Sequence, residues 1–356
     1  MCTLIDQQSQ SKLLTVPTEI RHAIYGYLIP DHIHLALGDA SFRFSPCVKR
    51  DKDDDPNCTS RARYDGRHDV DSDAPELLYP YRLSSSWGEH WRCEENMNEA
   101  REFDDTLVAK ALVRVCKLMF IDIAEMFADT VVFHINDTEV LEAMNLWTSS
   151  EVLATDRSLS VTSNFIGYTL PNVKNLEISL RIAPDNYNAL ENPDEVTMFT
   201  TAWNRLPETI TGMCKLHHLY IWLDHSEPST WSIVNERILL SPVDRLATIS
   251  NLDIAIALPR LHPKYTTPER HFFGGSAPVG AAIKRRYRQR YHGIRSRSGV
   301  LEVRYEPDFP VLHDMGEFWG FNTDELEEME TNEWKWSSPH DMWRLREGII
   351  CGMTEI

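Results

Sequence analysis

Apolar residues recur three and four positions apart over residues 13–28, which read LLTVPTEIRHAIYGYL and predict a helix. Pro17 suits the first helical turn, and Pro30 ends the pattern. One face of this helix is apolar and comprises Ile20, Ala23, Ile24, Tyr27 and Leu28. The opposite face comprises Arg21, His22, Tyr25 and Gly26. We expect the apolar face, including Ile20, Ile24 and Leu28, to be buried in a core.

A second helix is predicted from about residue 105 to residue 128. Its apolar residues advance by three and four and comprise Val108, Leu112, Val115, Met119, Ile123 and Met126. Its polar stripe is narrow, so we expect a central core position in which Val115 and Met119 pack on the first helix. Asp122 lies off that stripe, and a buried carboxylate needs a partner. Arg21 is the best candidate; nearby backbone amides, or a helix turned to expose Asp122, remain alternatives.

Three later passages place large aliphatic residues at every second position, which is typical of strands with one buried face. They are LPNVKNLEISLRI (170–182), MCKLHHLYIWLDH (213–225) and LATISNLDIAIAL (246–258). Superposition aligns Ile178 with Ile221 and Ile254, and Phe133 and Ile135 suit an earlier strand. The connections are long enough for crossover helices, which we expect at about 195–211, 229–240 and 278–291. The three strands should therefore be parallel neighbours in one sheet.

This alternation predicts an α/β fold, in which the N-terminal helix packs on a central core helix. An irregular, leucine-rich-repeat-like stack of strands and helices then follows, although an ordinary α/β domain with similar strands fits equally well. The sheet surface away from the helices would carry Glu177, Ser179, Tyr220, Trp222 and Asp253. We expect a protein client there, since the aromatic side chains of Tyr220 and Trp222 are favoured binding anchors.

Two motifs together resemble the fungal F-box-like domain proteins. The first, LP-x-EIR-x-x-IY-x-x-L, corresponds here to Leu14, Pro17, Glu19, Ile20, Arg21, Ile24, Tyr25 and Leu28. The second, L-x-x-VCR-x-x-Y-x-E, corresponds to Leu112, Val115, Cys116, Lys117, Phe120 and Asp122, with Asp replacing the usual Glu. The resemblance implies contact with the adaptor subunit of a cullin-type ubiquitin ligase through a three-helix unit. Only the first of those three helices is recognisable in this sequence.

Composition shifts divide the chain into four predicted segments. Residues 12–38 form the F-box-like motif, and residues 39–103 form a polar, largely disordered insertion, because positions 51–73 lack Leu, Ile, Met, Phe and Trp. Residues 104–300 form the repeat-like body, and residues 301–356 form an acidic C-terminal segment.

The charge of the chain narrows the choice of partners. With 36 basic and 54 acidic residues, the formal net charge is −18, which disfavours general binding to nucleic acid or to anionic membranes. Seven scattered cysteines without a CxxC pair, and a start without a secretory signal, predict an intracellular protein, cytoplasmic or nuclear. No apolar stretch is long enough for a membrane span.

One basic tract opposes the overall charge. Residues 284–297 contain seven Lys or Arg and no acid; the densest part holds Lys284, Arg285, Arg286, Arg288 and Arg290. A nuclear import signal or a phosphate-binding strip would explain the tract. A solvated helix face that pairs with the acidic C-terminal third would explain it as well.

The sequence contains no clear catalytic motif and only a weak candidate for a metal-binding motif. Cys47, Cys58, His90 and Cys93 could be combined into a zinc site, but the Cys47–Cys58 spacing matches no usual knuckle. The pairs His68–Asp69, His313–Asp314 and His340–Asp341 are expected by chance in so acidic a chain. We therefore predict no cofactor, no metal and no enzyme activity, and favour an interaction protein that binds protein partners. A structural protein without ligase contact and an unrecognised hydrolase are the alternatives.

Overall fold

The structure is a computed structural model. It describes residues 11–37, 42–47, 87–90, 93–94, 111–148, 161–192, 194–225, 231–261, 265–273, 277–278, 280–286, 291–295 and 301–305.

A seven-stranded sheet organises the fold. Its strands are β1 (His32–Leu37), β2 (Phe42–Pro46), β3 (Val132–Ile135), β4 (Asn175–Ile182), β5 (His218–His225), β6 (Asp253–Pro259) and β7 (Ala281–Arg286). The spatial order is β2-β1-β3-β4-β5-β6-β7; all neighbours are parallel except β1 and β2, which are antiparallel. A separate antiparallel hairpin joins β8 (Tyr291–Arg295) to β9 (Leu301–Tyr305).

The predicted parallel arrangement of the three central strands is confirmed. Ile178 on β4 pairs with Ile221 on β5, as the sequence superposition predicts. Between β5 and β6, however, Ile221 of β5 pairs with Ile256 of β6 and not with Ile254. The register of β6 therefore differs by two residues from the one that the superposition predicts. A shift of two keeps every side chain on its predicted face, because side chains alternate with period two.

Helices surround the apolar side of this sheet. They are α1 (Lys12–Thr15), α2 (Thr18–Gly26), α3 (Lys117–Thr130), α4 (Thr138–Thr148), α5 (Val161–Thr169), α6 (Pro184–Glu191), α7 (Met198–Asn204), α8 (Leu206–Gly212), α9 (Glu236–Leu239) and α10 (Ser241–Asp244). The helix predicted at 195–211 is present as α7 and α8, whereas 229–240 contains only short helical pieces. The helix predicted at 278–291 is wrong, since β7 pairs with β6 there. One continuous hydrophobic core joins helices and sheet.

The helix predicted over residues 105–128 is interrupted in the structure: Ala111 and Leu112 are helical, a turn follows at 113–115, and α3 begins at Lys117. Cys116 has extended backbone angles (φ −163°, ψ 164°) and its sulfur accepts a hydrogen bond from the backbone N–H of Met119. Cys116 is therefore the N-cap of α3 and separates it from the turn before it. Residues 105–110 lie outside the described residues.

The opposite side of the sheet is partly covered by a short segment, Trp87–His90. Gly88 has a positive φ of 58° and its Cα lies so close to the Trp222 indole that a Cβ atom would overlap the ring. Trp222 is consequently buried, and the Arg286 guanidinium lies 4.1 Å from the centre of its ring. The prediction that Trp222 is an exposed binding anchor is wrong, and of the proposed pair Tyr220 alone is partly exposed.

Candidate functional site

Helix α2 attaches to α3 through a buried ion pair. The Arg21 guanidinium donates from Nε to Asp122 Oδ2 over 2.6 Å and from Nη2 to Asp122 Oδ1 over 3.1 Å. Arg21 also donates to the Val16 carbonyl oxygen and the Thr18 hydroxyl, which ties it to its own helix start. The hydrogen bond to Asp122 is the main reason why the pKa of Arg21 lies above its ordinary value. The predicted partnership between Arg21 and Asp122 is confirmed.

The orientation predicted for α2 is wrong. Tyr25, next to Arg21 on the helix surface, is fully buried. The exposed fractions on the predicted core face are 51% for Ile20, 39% for Ile24 and 43% for Leu28, and 92% for Tyr27. Of the two contacts predicted on the second helix, Met119 of α3 is buried, whereas Val115, in the turn before α3, is 57% exposed. Because the ion pair turns Arg21 and Tyr25 inward, the apolar stripe is left on the surface.

The other residues of the two motifs differ in burial and lie in or next to α2 and α3. Leu14 is half-buried against the core, Pro17 is the N-cap of α2, and Glu19 is exposed in its first turn. In the second motif, Lys117 is exposed, while the half-buried Phe120 packs edge-on against Phe165 with ring centres 5.6 Å apart.

The basic tract is largely internal where the structure describes it. Arg285 donates from Nη2 to Glu236 Oε2 over 2.8 Å, and Glu236 is fully buried. Arg286 is also buried and donates from Nη1 to Asp224 Oδ2 over 3.0 Å. Lys284 is exposed, and Arg288 and Arg290 lie outside the described residues. The acids that pair with Arg285 and Arg286 thus come from within the sheet-and-helix body.

A group of histidines and cysteines lies on the sheet surface opposite the helices. One possible ligand atom from each of His34, Cys47, His90 and Cys93 lies within 4.8 Å of the other three. Cys47 Sγ is 3.8 Å from Cys93 Sγ and 3.5 Å from His90 Nδ1. His34 lies on β1, and Cys47 directly follows β2. His90 is the last residue of the segment that covers Trp222, and Cys93 follows three residues later in the chain.

The electrostatics of this group favour a thiolate beside neutral imidazoles. The pKa of Cys93 falls to about 2, chiefly because Cys47 donates a hydrogen bond to its sulfur, and the nearby His34 and His90 rings act in the same direction. Burial lowers the pKa of His34. Burial also lowers the pKa of His134, a neighbour of this group, to about 4. At neutral pH the imidazoles of His34 and His134 are therefore uncharged and each keeps a lone pair.

A second group of possible ligands adjoins the first and contains His32, His134 and Glu177. His32 Nδ1 lies 2.9 Å from His134 Nε2, and His134 Nδ1 lies 3.1 Å from a Glu177 carboxylate oxygen. The polar side chains of this second group therefore contact one another.

His34 is the residue of this site that sequence reasoning missed. The stretch HIHLAL alternates histidine with Ile33 and Leu35, so His32 and His34 share the surface opposite the core. That alternation is a usable signal for paired ligands on a strand. The structure brings together Cys47, His90 and Cys93 of the considered zinc set, and His34 takes the fourth place. Cys58 and the pairs His68–Asp69, His313–Asp314 and His340–Asp341 lie outside the described residues.

None of the helices in the described part of the chain combines the length and the apolar character that crossing a bilayer requires. Comparison with curated proteins and with solved structures finds no significant match. A family comparison does find one: residues 6–269 match a domain of unknown function, DUF7730. The matched range includes α2, α3, six of the seven sheet strands and all four members of the His–Cys group. This chain belongs to the DUF7730 family.

Proposed function

We propose that the protein is a non-enzymatic interaction protein of the F-box-like type, a substrate receptor whose helix α2 docks onto the adaptor subunit of a cullin-type ubiquitin ligase. One observation carries the proposal, namely the exposed apolar stripe of Ile20, Ile24, Tyr27 and Leu28. Burial of such side chains contributes roughly 1.5–3 kcal/mol each, so leaving four of them in water on one short helix and the turn that follows it favours a partner.

The attachment of α2 supports docking without rearrangement. The helix is held by Arg21 and Tyr25 on its inner side, so its outer side is presented in a fixed orientation. A surface that is already ordered loses less conformational entropy on binding than a flexible one. Tyr27 is the most exposed member, and tyrosine is a frequent energetic anchor in protein interfaces.

The resemblance of the two motifs to the F-box-like proteins supports the choice of the ligase adaptor as partner. In this chain the two motifs meet in space through the Arg21–Asp122 pair, so the N-terminal motif is joined to the body that would recruit a client. The sequential order of β3, β4, β5 and β6 is compatible with a repeat-like stack as that body. With Trp222 covered, Tyr220 remains the candidate client anchor on the sheet.

Binding of the full chain to a purified adaptor subunit, measured by titration calorimetry, tests the proposal. Ile24→Asp and Tyr27→Ala should each weaken binding by about tenfold or more, as expected for interface anchors worth about 2 kcal/mol. Val196→Asp is the matched control, because Val196 is an apolar residue that is 78% exposed and lies between α6 and α7. Its binding should be unchanged.

Two outcomes would contradict the proposal. The first is a wild-type chain that shows no heat of binding to the adaptor. The second is self-association abolished by Ile24→Asp in sedimentation experiments, which would assign the stripe to a second copy of this chain.

A further inference from the structure

We propose that His34, Cys47, His90 and Cys93 bind one zinc ion that fastens the segment Trp87–His90, together with Cys93, to the sheet. Two thiolates and two imidazoles form a donor set that Zn²⁺ binds tetrahedrally in structural sites. Soft sulfur ligands combined with imidazole also disfavour Mg²⁺ and Ca²⁺, which prefer oxygen. This inference is independent of the adaptor contact proposed for α2.

The distances fit a tetrahedral site. With Zn–S distances of about 2.3 Å and Zn–N distances of about 2.0–2.1 Å, tetrahedral geometry separates two sulfurs by roughly 3.8 Å and a sulfur from a nitrogen by roughly 3.6 Å. The observed separations are 3.8 Å between Cys47 Sγ and Cys93 Sγ and 3.5 Å between Cys47 Sγ and His90 Nδ1. A disulfide needs a sulfur separation of about 2.05 Å, so these two cysteines are not joined by one in this structure.

His34 is oriented as a ligand by its neighbour. Its Nδ1 lies 2.7 Å from Asn136 Oδ1, and an amide oxygen only accepts, so Nδ1 carries the proton. The other nitrogen, Nε2, then has a free lone pair; it is buried and has no hydrogen-bond partner among the described residues. His34 itself is fully buried, and leaving a buried polar atom unpaired is costly. A metal ion at the centre of the group would satisfy Nε2.

The closed ligand set indicates a structural role. Four protein ligands leave no open position for substrate or water, in contrast to catalytic zinc sites. The ligands come from β1, from the residue after β2 and from the segment that covers Trp222, so one ion would join parts separated by residues 48–86. Three of the four residues are buried and Cys47 is half-buried, which suits a site formed on folding.

Metal analysis of the full chain, purified without a histidine tag, tests the inference. We expect one zinc ion per chain after dialysis against metal-free buffer, and loss of that zinc in Cys93→Ser and His34→Ala. Cys214→Ser and His217→Ala are matched controls because both residues are exposed, and both variants should keep the zinc. His32→Ala should also keep it, since His32 belongs to the neighbouring group.

Asn136 is inferred to position His34 for zinc binding, and this role can be tested through the zinc affinity of Asn136 variants. Asn136→Ala should weaken zinc affinity by about 10–100-fold, the usual effect of removing the partner that orients a ligand. Asn136→Asp keeps an oxygen acceptor for His34 Nδ1 and should restore most of the affinity. A purely structural role of Asn136 predicts no such rescue.

Two measurements on the wild-type chain keep the inference testable if the ligand variants fail to fold. Replacement of zinc by Co²⁺ should give the intense visible bands of a tetrahedral site and a near-ultraviolet thiolate-to-cobalt transition. Modification of the thiols should release one equivalent of zinc. A chain without bound zinc, a Cys93→Ser variant that retains it, or a Cys47–Cys93 disulfide in the purified protein would each overturn the inference.

Discussion

Arg21 and Asp122 lie 101 residues apart in the chain and form a buried ion pair with two hydrogen bonds, 2.6 Å and 3.1 Å long. The pair decides which side of α2 faces the core, because Arg21 reaches Asp122 only when Tyr25 also points inward. The exposed apolar stripe is the consequence. A charge interaction between two motifs therefore creates the surface on which the proposed docking depends.

Replacement of Asp122 by Asn should destabilise the protein by about 3–5 kcal/mol, because the Arg21 charge would remain buried without its counter-charge. Urea unfolding of the purified chain measures this loss. Asp129→Asn on the same helix is the matched control, since Asp129 pairs with Lys174 at the surface and should contribute at most about 1 kcal/mol. Equal losses for the two variants would contradict the structural role assigned to the Arg21–Asp122 pair.

Replacement of Tyr25 by Phe should leave stability unchanged or raise it by about 1 kcal/mol at neutral pH. The Tyr25 hydroxyl is buried and has no hydrogen-bond partner among the described residues, so its removal abolishes a desolvation cost.

The same hydroxyl predicts a specific alkaline instability. Burial is the main cause that raises the pKa of Tyr25 above its usual value of 10.0, and the Asp122 charge adds to it. Above pH 10 the unfolded chain therefore loses this proton more readily than the folded chain, and stability falls as the pH rises. Unfolding curves measured between neutral pH and pH 11 should show that Tyr25→Phe loses less stability than the wild type. A wild type that shows no extra alkaline loss would contradict this assignment.

Gly88→Ala should destabilise the segment Trp87–His90. A positive φ of 58° is unfavourable for alanine, and the new Cβ would overlap the Trp222 ring. We expect a loss of about 1–3 kcal/mol in thermal or denaturant unfolding, together with higher exposure of Trp222 in fluorescence quenching. Gly26→Ala is the control: nothing lies within 4 Å of its Cβ position, and the change should be neutral or slightly stabilising. If Gly88→Ala changed neither the stability nor the exposure of Trp222, this segment would not pack on Trp222 in solution.

The sequence predicts the central sheet well because period-two alternation is a local property. Leu176, Ile178 and Leu180 occupy every second position of β4, and large aliphatic residues recur at every second position in β5 and β6. Periodicity separates the two faces of α2 equally well but does not say which face is buried. The off-stripe position of Asp122 carried that information, since its pairing with Arg21 and the burial of Ile20 require opposite orientations.

Other features depend on distant contacts that a single sequence does not display. The basic sequence of β7 does not look like that of a sheet strand. It can form one because Arg285 pairs with Glu236 and Arg286 pairs with Asp224, which lie 49 and 62 residues away in the chain. The His–Cys group is similarly non-local: Cys47 and Cys93 are separated by 46 residues. Their approach follows from the pairing of β1 with β2 and from the packing of Gly88 on Trp222.

Two arginines of the basic tract, Arg285 and Arg286, should be required for stability. Arg285→Ala and Arg286→Ala should each destabilise the protein by about 3–5 kcal/mol, because each leaves a buried carboxylate without its charged partner. Lys284→Ala, on the same strand but exposed, should change stability by less than about 0.5 kcal/mol. Denaturant unfolding of the three variants distinguishes an internal role from a surface role. If Arg285 and Arg286 were instead free to bind phosphate or an import receptor, all three substitutions would be nearly neutral for stability, and the ion pairs to Glu236 and Asp224 would not exist in solution.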